Sequence, residues 1–113
     1  MTKPYLTSLD EQGWEIDDAE IAHEKTPESY SIPPLQARQT LVAGACAKIR
    51  FYIRVVHENG EMEDCGERMW VEVLSNVGGW YRGQLSNQPA CTNGIAPGLE
   101  VWFQARHVIA IEG

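Results

Sequence analysis

From Gly44 onward, apolar and polar residues alternate with a period of two. Ala47, Ile49, Phe51, Ile53 and Val55 fall on one face of an extended segment, and Lys48, Arg50, Tyr52 and Arg54 fall on the other. A second strand is expected over 68–74, where Met69, Val71 and Val73 alternate with Trp70, Glu72 and Leu74. Residues 57–67 between them read as an acidic loop, with Asn59-Gly60 as its turn signal. Val77-Gly78-Gly79 turns the chain so that 80–85 pairs back as a hairpin. A stretch rich in Asn, Pro and Gly over 86–97 leads to a strand at 99–103, and after a short turn 107–111 closes the set. This pattern predicts an α+β, mainly β fold: a small five-stranded antiparallel SH3-like barrel, or a curled sheet, with a short N-terminal helix. Closure into a barrel would remove the sticky edges of such strands.

Ahead of the strands the period is different. Asp17 or Asp18 can cap a helix running through Ala19, Glu20, Ile21, Ala22 and His23, and Pro27 stops it by Thr26. Trp14, Ile16 and Ile21 are placed to pin this helix to the rest of the domain. Ser31-Ile32-Pro33-Pro34 reads as an extended joint, followed by a brief helical turn at 35–40. The expected organisation is an acidic helical segment and connector over 1–34 and a barrel-like domain over 35–113, folding as one unit. A chain of 113 residues has the length of one domain and buries enough surface to need no staple.

Charge sharpens this division. The 9 basic and 16 acidic residues give a net charge of −7, which disfavours a sequence-independent DNA binder. Residues 1–34 carry eight acids against Lys3 and Lys25, net −6, whereas 35–113 carry eight acids against seven bases, net −1. Five of those later acids, Glu58, Glu61, Glu63, Asp64 and Glu67, fall within the predicted loop. Such a one-signed surface steers a basic partner and speeds its association. These acids lack the order and glycine of a calcium loop, so no metal is assigned.

Catalysis requires a nucleophile or acid–base pair with an orienting partner, and no such set is legible. His23, His57 and His107 lack metal spacing, and His107 reads as a hydrogen-bonded structural residue. Gly78-Gly79 is a hairpin turn and not a phosphate loop. Cys46, Cys65 and Cys91 are odd in number, lack CxxC spacing and are expected as reduced thiols, with acidic neighbours weakening Cys65 as a nucleophile. The polar N-terminus lacks the apolar core of a secretory leader, and no run is long enough to span a bilayer, so a cytoplasmic setting is expected. Neither catalytic residues nor a cofactor is expected. Trp70, Trp80 and Trp102 lie on predicted strands, and an exposed tryptophan among them would anchor an interface.

Three segments carry a resemblance. Glu67-Arg68-Met69-Trp70-Val71-Glu72-Val73, then 81–89 with Gly83, Leu85, Asn87 and Pro89, then Pro97-Gly98-Leu99-Glu100-Val101-Trp102-Phe103 resemble the bacterial family called domain of unknown function 2314. The lead-in with Pro27 and Tyr30-Ser31-Ile32-Pro33 is similar to that of some members, so the likeness runs from about residue 20 onward. Leu99 and Ser86 stand where the family usually or often has Asp. The resemblance implies a compact bacterial β-rich domain and adds nothing catalytic.

The function expected is that of a non-enzymatic cytoplasmic binding protein. It would engage a basic protein through Glu58, Glu61, Glu63, Asp64 and Glu67 with Trp70 and Trp80, as an immunity-type inhibitor does with a cationic toxin. The alternatives are a nucleic-acid-binding barrel using Lys48, Arg50, Tyr52 and Arg54, which the global charge opposes, and a small-molecule pocket formed by Glu67, Arg68, Asn87 and Trp102. No membrane partner is expected, and the chain would act as a monomer or homodimer.

Overall fold

The computed structural model describes residues 3–112. Its elements in chain order are α1 (Leu9–Gln12), β1 (Trp14–Ile16), α2 (Ala19–Lys25), α3 (Leu35–Gln39), β2 (Cys46–Val56), β3 (Met62–Val77), β4 (Trp80–Leu85), β5 (Glu100–Phe103), a 3-10 turn (Ala105–His107) and β6 (Ala110–Glu112). The sheet is antiparallel and curled, with β2, β3, β4 and β5 side by side. β6 and β1 share the free edge of β2: Lys48 opposes Ala110, and Ile53 opposes Trp14. The fold is therefore mainly β, with a single 3-10 turn just before the last strand, where a short turn was expected.

The residues that alternate along the sequence make the core. Ala47, Ile49, Phe51 and Ile53 of β2 meet Met69, Val71 and Val73 of β3, and Tyr81, Leu85, Val101, Phe103 and Val108 close the concave side. Chains of this kind gain about 25 cal/mol for each Å² of apolar surface withdrawn from water. Gly83 marks the tightest point of the curl. A Cβ there would lie 2.6 Å from Val71 Cγ1 and 2.8 Å from the Glu72 carbonyl, beside a register shift between Val73 and Ser75.

The N-terminal segment belongs to this body. Trp14 packs in the core against Phe51, ring centroids 5.6 Å apart, and β1 pairs with β2. The short α1 and β1 were not legible as elements, because four and three residues are too few to show a period. Helix α2 is capped by Asp18, whose carboxylate accepts the Ile21 amide, and it ends at Thr26. Ile21, expected to pin this helix, is instead 51% exposed; Ala19 is the buried residue. Helix α2 is held largely through polar contacts. Arg38, buried at the end of α3, donates from Nη1 to Glu20 at 2.7 Å and to the Ala105 carbonyl at 3.0 Å, and from Nε to the Pro33 carbonyl at 2.8 Å.

Two expectations about strand limits are corrected. The acidic stretch 57–67 is not a loop: only 57–61 turns, and β3 already starts at Met62. Its inward positions are Glu63, Cys65 and Glu67 rather than large apolar residues, so the hydrophobic alternation that marks a strand is absent there. The last strand is Ala110–Glu112, later than 107–111, because His107 ends the 3-10 turn.

Two predictions follow from this packing. The Tyr81 hydroxyl donates to the Arg38 carbonyl at 2.7 Å and accepts the Leu41 amide at 3.1 Å, both buried. Tyr81→Phe strands both backbone groups and should lower unfolding free energy by about 2 kcal/mol in a denaturant titration. His107 is buried, its Nδ1 accepts the Gln104 amide at 2.9 Å, and burial followed by the Arg106 charge pushes its pKa down to about 4. The unfolded state, with an ordinary histidine pKa near 6.5, therefore binds more protons below neutrality. Stability should be fully present above about pH 6.5 and fall as pH drops toward 4, by about 3 kcal/mol in all. His107→Asn should flatten that slope in melts compared between pH 7 and pH 5.

Candidate functional site

The first candidate is the distal end of the long β2–β3 hairpin. Asn59 and Gly60 form its turn as the sequence indicates: Gly60 has φ 87°, the Asn59 side chain accepts the Glu61 amide at 3.0 Å, and the His57 amide donates to the Glu61 carbonyl at 2.8 Å. The cross-strand pair behind the turn is Val56 and Met62, which are 64% and 66% exposed. Neither residue has a place in the core. Glu58 and Glu61 stand exposed on the turn itself, and Glu63 follows directly, its carboxylate 3.1 Å from His57 Nε2.

Because 62–67 is strand and not loop, its acids are distributed by the pleat. Met62 and Asp64 share the outer face, with Asp64 paired to Arg54 at 3.0 Å; Arg54 also reaches Asp10 at 3.0 Å. These contacts strengthen the hold of Arg54 on its proton, the Asp64 hydrogen bond first. Glu63 and Glu67 lie on the opposite face, that of Met69 and Val71. There Glu67 accepts the amides of Ala90 and Cys91 at 2.9 and 3.0 Å. So Glu58, Glu61 and Glu63 remain together at the tip, while Asp64 and Glu67 are occupied within the fold.

The tryptophans are distributed elsewhere. Trp70 lies eight residues along β3 from Met62, about 26 Å at strand rise. It is half-buried, opposite Lys48 on the outer face, and the ammonium sits 5.3 Å from its ring centroid. Trp80 starts β4 opposite Val77, at the other hairpin. Trp102 is buried, and its Nε1 donates to Glu100 at 3.1 Å. Asn87 is spent on the Trp70 amide, which it accepts at 2.6 Å. Arg68 faces Tyr30 from the outer side of β3. Arg68, Asn87 and Trp102 therefore serve three separate local structures.

The cysteines depart from the reduced thiols expected. Cys65 and Cys91 form a disulfide that fastens the 86–97 segment to β3, and Cys46 is free. The residues lie 26 apart in sequence, and only the chain reversal through β3, β4 and the long loop brings them together, so spacing offered no signal. Burial first, then Glu72 and Glu112, pushes the Cys46 thiol above its usual pKa, which makes it a poor nucleophile. Cys65, Glu67 and Cys91 place possible metal-ligand atoms within 4.8 Å of one another. The bridged sulfurs offer no thiolate, however, and both Glu67 oxygens already accept amides. A groove of about 550 Å³ beside Tyr81 and Gln104 contains Glu20 and Arg106, but their charges are matched by Arg38 and Asp18.

In non-reduced, unfolded protein, thiol titration should detect one reactive thiol per chain, rising to three after reduction. Cys91→Ser should cost about 3 kcal/mol, the entropy of a loop of this length. Among the described residues, no helix is long and apolar enough to cross a membrane. The chain matches no protein-family model, and no curated protein or solved structure matches it.

Proposed function

We propose that the protein is a binding module without catalytic chemistry of its own, which holds a basic protein at the tip of the β2–β3 hairpin. The observation that carries this reading is the exposed Val56–Met62 pair on the outer face of the hairpin tip, next to Glu58 and Glu61 of the turn, with Glu63 adding its charge from the opposite face. An apolar pair alone would favour nonspecific association, and carboxylates alone would be solvated. Together they supply what a cationic partner needs: contact area to dehydrate and a one-signed field that sets approach and orientation. Methionine suits such a contact because its flexible thioether adapts to the surface it meets.

The net charge of −7 supports the same reading, as does the size of the domain. An immunity-type inhibitor of a cationic bacterial toxin is the specific form proposed, on the size and charge of the domain. A cytoplasmic setting belongs to this proposal. There Cys65 and Cys91 would be held mainly as thiols, and the turn at 57–61 keeps its own hydrogen bonds without the bridge. The outer strand face is less suited to a nucleic acid, since Arg54 is already matched by Asp64 and Asp10.

A lysine- and arginine-rich peptide containing one leucine, titrated into isotopically labelled protein, should give saturable amide shifts over 56–63 that weaken as salt is raised. The triple change of Glu58, Glu61 and Glu63 to Lys should abolish them, and Met62→Ser should weaken binding roughly fivefold. Shifts located elsewhere, or undiminished in the triple variant, would remove the hairpin tip as the site.

A further inference from the structure

The connector after α2 crosses the outer face of the sheet and encloses a second, chemically opposite site. Tyr30 is 9% exposed, and its backbone carbonyl accepts from His23 Nδ1 at 2.6 Å, which fixes its position. Beneath it a hollow of about 230 Å³ is lined by Ser29, Tyr30, Ser31, Lys48, Arg68, Ile109 and Ala110. No carboxylate lines this hollow. We propose that it is a binding site for a phosphoryl oxyanion, either free phosphate or the phosphate of a small monoester, held by Lys48 and Arg68 with the hydroxyls of Tyr30, Ser29 and Ser31.

Two independent observations carry this assignment. The first is the pairing of cations. In this acidic chain Arg38, Arg54, Arg82 and Arg106 have carboxylate partners at 2.7, 3.0, 2.8 and 3.5 Å. Among the described residues, Lys48, Arg50 and Arg68 have none within salt-bridge distance. Each instead lies 5.3 Å from an aromatic centroid, Trp70, Tyr52 and Tyr30 respectively, which orients the cation and leaves its charge unmatched. The second is the Tyr30 hydroxyl, which is buried and has no hydrogen-bond partner. A buried hydroxyl without a partner is destabilising, and an anion accepting its proton would relieve that. Burial raises the Tyr30 pKa, followed by the charge of Asp17, so the phenol stays a donor.

The neighbouring hollow on the other side of Tyr30 contains Arg50 together with Asp17 and Lys25. Asp17 makes that side less hospitable to an anion. Arg50 also lies along Gly66, where its Nη2 is 3.1 Å from the position a Cβ would take, so it is directed toward Tyr52. The volume beneath Tyr30 admits a phosphoryl group and a few further atoms, and hydroxyls beside a guanidinium match its several acceptor oxygens.

The test is an amide-shift titration of labelled protein with inorganic phosphate and, separately, with glycerol 3-phosphate, each against sodium chloride at matched ionic strength. Saturable shifts at Ser29, Tyr30, Ser31, Lys48 and Arg68 are expected with the phosphates and not with chloride. Tighter binding of the ester identifies an organic phosphate as the ligand, and equal affinity identifies free phosphate. Arg68→Ala and Lys48→Ala should each weaken binding roughly tenfold, and Tyr30→Phe, which removes only an unpartnered hydroxyl, roughly threefold with the fold intact. Arg82→Ala, with its cation paired to Glu100 elsewhere, should bind as the unaltered protein does. The assignment is overturned by chloride reproducing the shifts, by absence of saturation, or by Arg68→Ala binding unchanged. Single-stranded RNA binding where both phosphates fail would overturn it too, in favour of an extended polyanion surface.

Discussion

A buried guanidinium holds the periphery of this fold in place. Arg38 lies only six residues before Gly44, where the chain joins β3, yet it reaches α2 through Glu20, the connector through Pro33 and the 3-10 turn through Ala105. Its own carbonyl is held by Tyr81 from the core. A charge this buried is tolerated only when its donors are matched, and here one carboxylate and two carbonyls match them. The arrangement converts a short helix with an exposed Ile21 into a fixed wall of the domain. Without it, the position of the connector over Lys48 and Arg68 would have no other comparable anchor than His23 and the packing of Tyr30.

The charge of the molecule is sorted rather than spread. Acids gather at one end of the long hairpin, where Glu58, Glu61 and Glu63 share the tip with two exposed apolar side chains. Unmatched cations gather nearer the other end, around Tyr30 and Trp70. Two strands of 11 and 16 residues are what separates them. The same antiparallel ribbon therefore presents surfaces of opposite sign, and the net charge alone describes neither.

The inner alternation of β2 and β3 was readable because each buried side chain from Ala47 to Ile53 and from Met69 to Val73 is apolar, while the residues between them are polar or, at Tyr52 and Trp70, amphipathic aromatics. The caps of α2 were readable for a similar reason, since Asp18 and Pro27 act locally. What could not be read depends on register. The distal half of β3 has no apolar face to announce it, so Met62–Glu67 resembles a loop, and only pairing with 51–56 makes it a strand. That pairing in turn decides that Asp64 meets Arg54 while Glu67 turns toward Cys91. The Cys65–Cys91 bridge and the unpartnered Tyr30 hydroxyl are products of tertiary approach, invisible to any spacing rule.

The segment over 86–97 has a consequence beyond the local bonds that fix it. β4 covers β3 only from Val71 onward, so the earlier half of that long strand has no neighbouring strand on this side. The segment lies there instead: Ser86 donates to the Trp70 carbonyl, Asn87 accepts the Trp70 amide, and Glu67 and Cys65 hold Ala90 and Cys91. An open strand border of that length is a template on which a second chain can add in register, the first step toward aggregation. Asn87, Pro89 and the anchored loop thus act as a guard rail, and the solubility of a hairpin this long depends on residues that belong to neither proposed binding site.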